Sequence, residues 1–198
     1  MTSRVLAAGC ALALAGAASA QKIGIYGAQD CTTSFVCAPT GVPTQVFVMA
    51  DQHEQPSWSK GLGGAEFRVS GIPSAWMATA TPAPNVLIAI GDPIGPGCNV
   101  ALYPMPTADC ALLYTLTLVP TSEVEDAVLG IATHTSPSRP GFACPWLFYP
   151  CNFPGPSASA CVVPPICAEA VELHVRSMPD CAIAVEPTSW GTVKQLFR

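Results

Sequence analysis

Charge is what this chain has least of. Asp, Glu, Lys and Arg make up 11% of its 198 residues, against about 25% in an average globular protein. The eight Lys and Arg residues form no cluster. That argues against nucleic acid, whose phosphates need a positive stripe, and against an anionic membrane surface. Catalytic signatures are missing too. Gly-x-Ser-x-Gly does not occur, so a serine-hydrolase nucleophile has no signal. Gly61-Leu62-Gly63-Gly64 lacks the Lys and helix of a phosphate loop. The chain has no Cys-x-x-Cys and no cysteine pair at zinc spacing from histidines. Neither a cofactor nor a metal is therefore expected. Long helices have little room among 21 Pro and 16 Gly.

What is present begins with a leader. Arg4 supplies a positive start, Val5 to Ala17 is apolar, and Ala18-Ser19-Ala20 has the form of a cleavage site before Gln21. Residues 1–20 therefore read as a secretory signal peptide, too short to span a bilayer. Leu6-Ala7-Ala8-Gly9-Cys10 resembles a lipoprotein box, but too little apolar chain precedes Cys10 for that reading. No later run is long enough to cross a membrane. Beyond the leader, seven Lys and Arg face thirteen Asp and Glu, a net charge of −6. The expected location is the periplasm, the cell surface or the extracellular space.

Residues 21–186 read as one all-β domain. Short apolar runs at Ile23–Tyr26, Gln45–Ala50, Ala65–Val69, Trp76–Thr81, Val86–Ile90, Val100–Tyr103, Ala111–Val119, Val128–Thr133 and Val171–Val175 are parted by Gly and Pro turns. That rhythm, with no interleaved helices, predicts an antiparallel β-sandwich. Alternation puts Leu112, Tyr114, Leu116 and Leu118 on one face, and Glu66 and Arg68 in water. Glu123-Val124-Glu125-Asp126 reads as a polar turn. Two segments stand apart. Ser136–Cys167 holds eight prolines and four cysteines and, apart from a strand at Trp146–Tyr149, reads as an irregular insertion. Residues 187–198 predict a short amphipathic helix, with Trp190, Val193 and Phe197 on one face for docking.

Nine cysteines follow the leader, and eight fall into close neighbours: Cys31 with Cys37, Cys98 with Cys110, Cys144 with Cys151, Cys161 with Cys167. In an oxidising compartment these read as disulfides, with local pairing the simplest expectation. Cys181 is then the free thiol, though Cys167 with Cys181 is a rival pairing.

The order of strands looks like a cohesin-type sandwich, with an immunoglobulin-like arrangement as the broader description. Thr44–Asp51, Gly63-Gly64-Ala65-Glu66-Phe67-Arg68-Val69, Cys110–Thr121 and Val128–Pro140 carry the resemblance. The chain is also similar to uncharacterised secreted bacterial proteins with Ser-Pro-Ser-x-Pro-Gly after a late strand and a Trp-Gly-x-hydrophobic-Lys tail, here Trp190 to Lys194. The resemblance implies a surface for protein partners rather than catalysis. The cysteines and the 136–167 insertion depart from the cohesin pattern, and no dockerin-like duplicated calcium loop is present.

Candidate sites follow from these elements. Phe142, Trp146, Phe148, Tyr149 and Phe153 crowd the insertion and suit a protein or carbohydrate surface, or a small satellite core. His53 beside Asp51 and Glu54 has metal-ligand or acid–base chemistry, but its loop position favours a solvated residue. His134 and His174 read as surface residues. The expected function is an exported, non-catalytic binding or structural protein of the envelope or extracellular space, engaging a protein or surface glycan. The second reading is a secreted hydrolase using two carboxylates such as Glu66 and Glu172, brought together by folding.

Overall fold

A computed structural model describes residues 21–53, 61–141, 143–150, 166–179 and 181. The leader, the predicted C-terminal helix with Trp190, Val193 and Phe197, and Glu54, Phe142, Cys151, Phe153 and Cys161 lie outside them. All the regular elements among the described residues are strands. One sheet has the order β12-β1-β3-β8-β5, with β1 Lys22–Tyr26, β3 Thr44–Asp51, β5 Met77–Pro82, β8 Cys110–Val119 and β12 Glu169–Val171. The other contains β2 Phe35–Cys37, β4 Gly64–Ser70, β6 Val86–Asp92, β7 Gly97–Leu102, β9 Val124–Ala132, β10 Trp146–Phe148, β11 Ile166–Cys167 and β13 Leu173–Ser177. Within it, among the described residues, β6 pairs only with β7, which continues onto β4.

Most pairings are antiparallel, as the turn spacing predicts, but both sheets are mixed. β12 runs parallel to β1, and β13 runs parallel to β2. The cause lies in residues 166–177, which the alternation marked only as Val171–Val175. This extended segment adds to the edge of one sheet as β12, bends at Glu172, and enters the other as β13. A strand that switches sheets closes one side of a sandwich. Val124–Asp126, read as a turn, instead opens β9, where Val124 pairs with Ser177.

The two inner faces interlock through fully buried Ile23, Ile25, Val48, Leu113, Leu116 and Leu118 on one side and Phe67, Leu129, Leu147, Leu173 and Val175 on the other. Phe67 meets Tyr114 edge-on, ring centroids 6.0 Å apart. Alternation along β8 is broken by a bulge: Val48 pairs with Tyr114 and Met49 with Leu112, leaving Leu113 extra. The extra residue flips the phase, so Ala111 and Leu113 point inward while Leu112 is only half-buried. Leu112 thus leaves the face it was expected to share with Tyr114, Leu116 and Leu118.

The disulfides overturn local pairing. Cys31 bonds to Cys110, Cys37 to Cys181 and Cys144 to Cys167, with Cα separations of 6.0, 5.5 and 5.6 Å. Cys181, expected free, is bonded, and Cys98 is the free, buried thiol among the described cysteines. The reason is topological. Cys37 ends β2, whose parallel partner β13 delivers Cys181 to it, whereas Cys31 stays in the preceding loop at the start of β8. Cys98 lies on β7 opposite Phe67 of β4, and its thiol meets the Tyr114 hydroxyl across the core, four residues along β8 from Cys110.

Candidate functional site

Among the described aromatic residues of the insertion, Trp146, Phe148 and Tyr149 take different environments. Tyr149 is 1% exposed, and its hydroxyl donates to Gln21 Oε1 at 2.9 Å. Its phenol pKa is raised, chiefly by burial and then by the charge of Asp51. Trp146 is half-buried where β10 pairs with β4, opposite Glu66, while Phe148 at 39% exposure faces out. β10 thus extends a sheet instead of presenting an aromatic platform.

Glu66 was expected in water but is 1% exposed. Residues 134–138 cross the outer face of β7 and β4 as a strap. The His134 ring lies against Gly97, whose φ of +122° and missing Cβ allow that approach. The Thr135 N–H donates to Pro96 O at 2.8 Å and the Ser136 N–H to His134 Nδ1 at 2.9 Å. The Ser138 N–H reaches both Glu66 carboxylate oxygens, at 3.1 and 3.3 Å. Glu66 therefore anchors the strap. Glu172 packs over Gly130, which pairs with Ser70 four residues further along β4. At about 3.3 Å per residue, the places the two side chains occupy along β4 are about 13 Å apart, and the Glu66 carboxylate is engaged by the strap instead of Glu172.

Two histidines form exposed pairs with aspartates. His53 Nδ1 lies 2.6 Å from Asp51 Oδ1. The hydrogen bond to Asp51, then the charge of Asp51, raises the His53 pKa above its ordinary 6.5. On the opposite sheet, His174 Nδ1 is 2.9 Å from Asp126 Oδ1. No nucleophile hydrogen-bonds to either ring among the described residues, nor is there among them a group of three or more His, Cys, Asp or Glu suited to a metal. The Cys98 thiol pKa is pushed up to about 12, by burial first, against a hydrogen bond with Tyr114 that lowers it. An inert buried thiol is what such an environment makes.

The arrangement that stands out is the side where β5 and β6, one edge from each sheet with no further strand partner among the described residues, come together. In β6 every residue after Val86 is exposed, with Leu87 at 66%, Ile88 at 51% and Ile90 at 65%. Ile88 and Ile90 lie on the outer face, opposite Ala101 and Asn99 of β7. Ala89 and Gly91 face a cleft of about 470 Å³, lined across from them by Ala78, Ala80 and Pro82 of β5. The cleft runs past Ile94 into a second hollow of about 430 Å³, lined by Arg68, Ser70, Ser74 and Trp76. Natural edges are usually charged, short or covered. This one is apolar, seven residues long and open. The sequence marked Val86–Ile90 as an apolar strand, but no signal in it says which strand ends a sheet.

No protein-family model and no curated protein matches the chain. Among solved structures it is similar to a cohesin module from the family 33 glycoside hydrolase of Clostridium perfringens ATCC13124, with 11% identity and a TM-score of 0.53, over 80% of this chain and 98% of that one. A Clostridium thermocellum cohesin, solved in a cohesin–dockerin complex, has 11% identity and a TM-score of 0.47, over 80% and 99%. A non-cellulosomal cohesin from Archaeoglobus fulgidus has 9% identity and a TM-score of 0.39, over 81% and 92%. The fold is a cohesin-like β-sandwich.

Proposed function

With a cohesin-like sandwich as the premise, we propose that this chain is an exported, non-catalytic binding module that engages a protein partner through the open side bordered by β6. The observation that carries the reading is the apolar edge of β6, which no described residue covers, with Leu87, Ile88 and Ile90 each more than half exposed. Contiguous apolar surface of that kind marks interaction sites in soluble proteins. Three disulfides and the signal-like leader support an oxidising destination: periplasm, cell surface or extracellular space. A protein is favoured over a surface glycan because the described insertion aromatics diverge, Tyr149 into the core and Phe148 outward. The hydrolase reading loses its basis once Glu66 is committed to the strap.

The test uses the mature chain from Gln21 as bait against the envelope and extracellular fractions of its own cell. A variant carrying Leu87→Lys and Ile90→Lys serves beside it, with circular dichroism to confirm its fold. A discrete protein captured by the wild type and lost from the variant supports the reading. Capture that ignores the substitutions, or binding to saccharides alone, refutes it.

A further inference from the structure

We propose that the cleft between β5 and β6 receives an extended peptide strand of the partner, added along the free edge of β6, with an acidic side chain placed at Arg68. The proposal rests on the protein-binding reading above and names the site and the chemistry of what it takes.

Three observations converge. First, the edge of β6 away from β7 offers main-chain groups that no strand among the described residues satisfies, and strand addition is the common way such an edge is used. Second, the side chains along the edge are sorted for a new strand. Those facing the cleft are small, Ala89 and Gly91 on β6 with Ala78 and Ala80 on β5, and leave room for alternate residues of an added strand. Ile88 and Ile90 on the other face offer an incoming strand apolar neighbours. Third, where the cleft continues into the second hollow, polar groups keep unused donor capacity. Arg68 donates through Nε to Thr133 O at 3.4 Å. No carboxylate lies within ion-pair distance of it among the described residues. The indole Nε1 of Trp76, a residue 6% exposed that lines the same hollow, has no acceptor among the described residues.

An uncompensated guanidinium in a net-acidic chain selects a carboxylate. An unsatisfied indole donor favours any acceptor that reaches it. Asp92 lies at this end of β6, but its carboxylate turns back into the hairpin: Oδ1 accepts the Ile94 N–H at 3.0 Å. It neutralises no group in the hollow. Gly71 shapes the corner between the two. Its φ is +82°, and a Cβ there would run into the carbonyl oxygen of Val128 on β9.

The probes are two fluorescein-labelled peptides as long as β6, capped at both ends, with alternating Val and Thr between terminal Asp residues or terminal Lys residues. Fluorescence anisotropy against the mature chain is expected to show the Asp peptide binding about tenfold tighter than the Lys peptide. Arg68→Gln should erase that preference, Arg68→Lys should keep part of it, and Leu87→Lys with Ile90→Lys should abolish binding of both peptides. Amide shifts on binding should fall on β5, β6 and around Trp76. Equal affinity for the two peptides overturns the acidic assignment. Binding of neither, with partner capture still sensitive to the β6 substitutions, overturns strand addition while the protein-binding reading survives. Light scattering that shows a wild-type dimer dissolved by the β6 substitutions makes a second copy the occupant and overturns the proposal.

Discussion

Removing the Cys37–Cys181 bond should cost more stability than removing any other described disulfide. The bond spans 144 residues, against 79 for Cys31–Cys110 and 23 for Cys144–Cys167. If a cross-link acts mainly by restricting the unfolded chain, its worth grows with the logarithm of the loop it closes. That gives about 5 kcal/mol for Cys37–Cys181, about 4.5 for Cys31–Cys110 and about 3.4 for Cys144–Cys167. Total stabilities of single domains are about 5–15 kcal/mol, so losing the longest link consumes a large share. The assay is urea unfolding of the oxidised wild type, Cys37→Ala with Cys181→Ala, and Cys144→Ala with Cys167→Ala. The first variant should unfold at lower urea than the second. Its unfolding should also depend more steeply on urea, because the freed unfolded chain exposes more surface. A loss below about 1 kcal/mol, or the reverse order of the two variants, would refute the loop-entropy reasoning.

Three further outcomes are expected. Glu66→Ala should destabilise the fold by about 1–3 kcal/mol, because it strands the Ser138 N–H, and should speed amide exchange across residues 134–138; unchanged exchange would mean Glu66 does not hold the strap. His53 followed by NMR should titrate above 6.5, and Asp51→Asn should bring it back toward that value. Since the folded pKa is the raised one, the pair's contribution is complete below the unfolded value and disappears as pH climbs through the folded one, so an Asp51→Asn difference in stability that grows with pH would be contrary. Cys98 should resist a thiol reagent such as DTNB in the native protein and react on unfolding; fast native labelling would contradict its burial.

The sequence is legible here wherever a rule is local, and opaque wherever topology decides. Alternation located the strands because burial on one face leaves a period of two, and Leu173, Val175 and Ser177 are buried between exposed His174 and Arg176 as that rule requires. The same rule failed at Glu66 for a reason outside β4: residues 134–138, some seventy positions later, fold over the face that alternation assigned to water. It failed at Leu112 because a bulge adds one residue and reverses the phase, and a bulge leaves no mark in an apolar run such as Ala111-Leu112-Leu113. The cysteines show the limit most sharply. Nearness in sequence favoured Cys31 with Cys37, but strand order puts β2 beside β13, and only that order brings Cys181 to Cys37.

The candidate site depends on the same distinction. Val86-Leu87-Ile88-Ala89-Ile90 has the composition of a buried central strand, and a reader of composition alone would bury it. The fold places it last in its sheet, next to the last strand of the other sheet, and it becomes surface. An apolar strand that is central by composition and terminal by position is a local preference that the described residues leave unsatisfied. Such conflicts between levels concentrate at functional sites, where the missing half of the packing comes from another molecule. Arg68 and the Trp76 indole, each short of a partner at the same cleft, extend that argument from apolar area to polar groups. One incoming strand with a carboxylate would meet all of these needs together, whereas a merely tolerated surface would have no reason to leave them side by side.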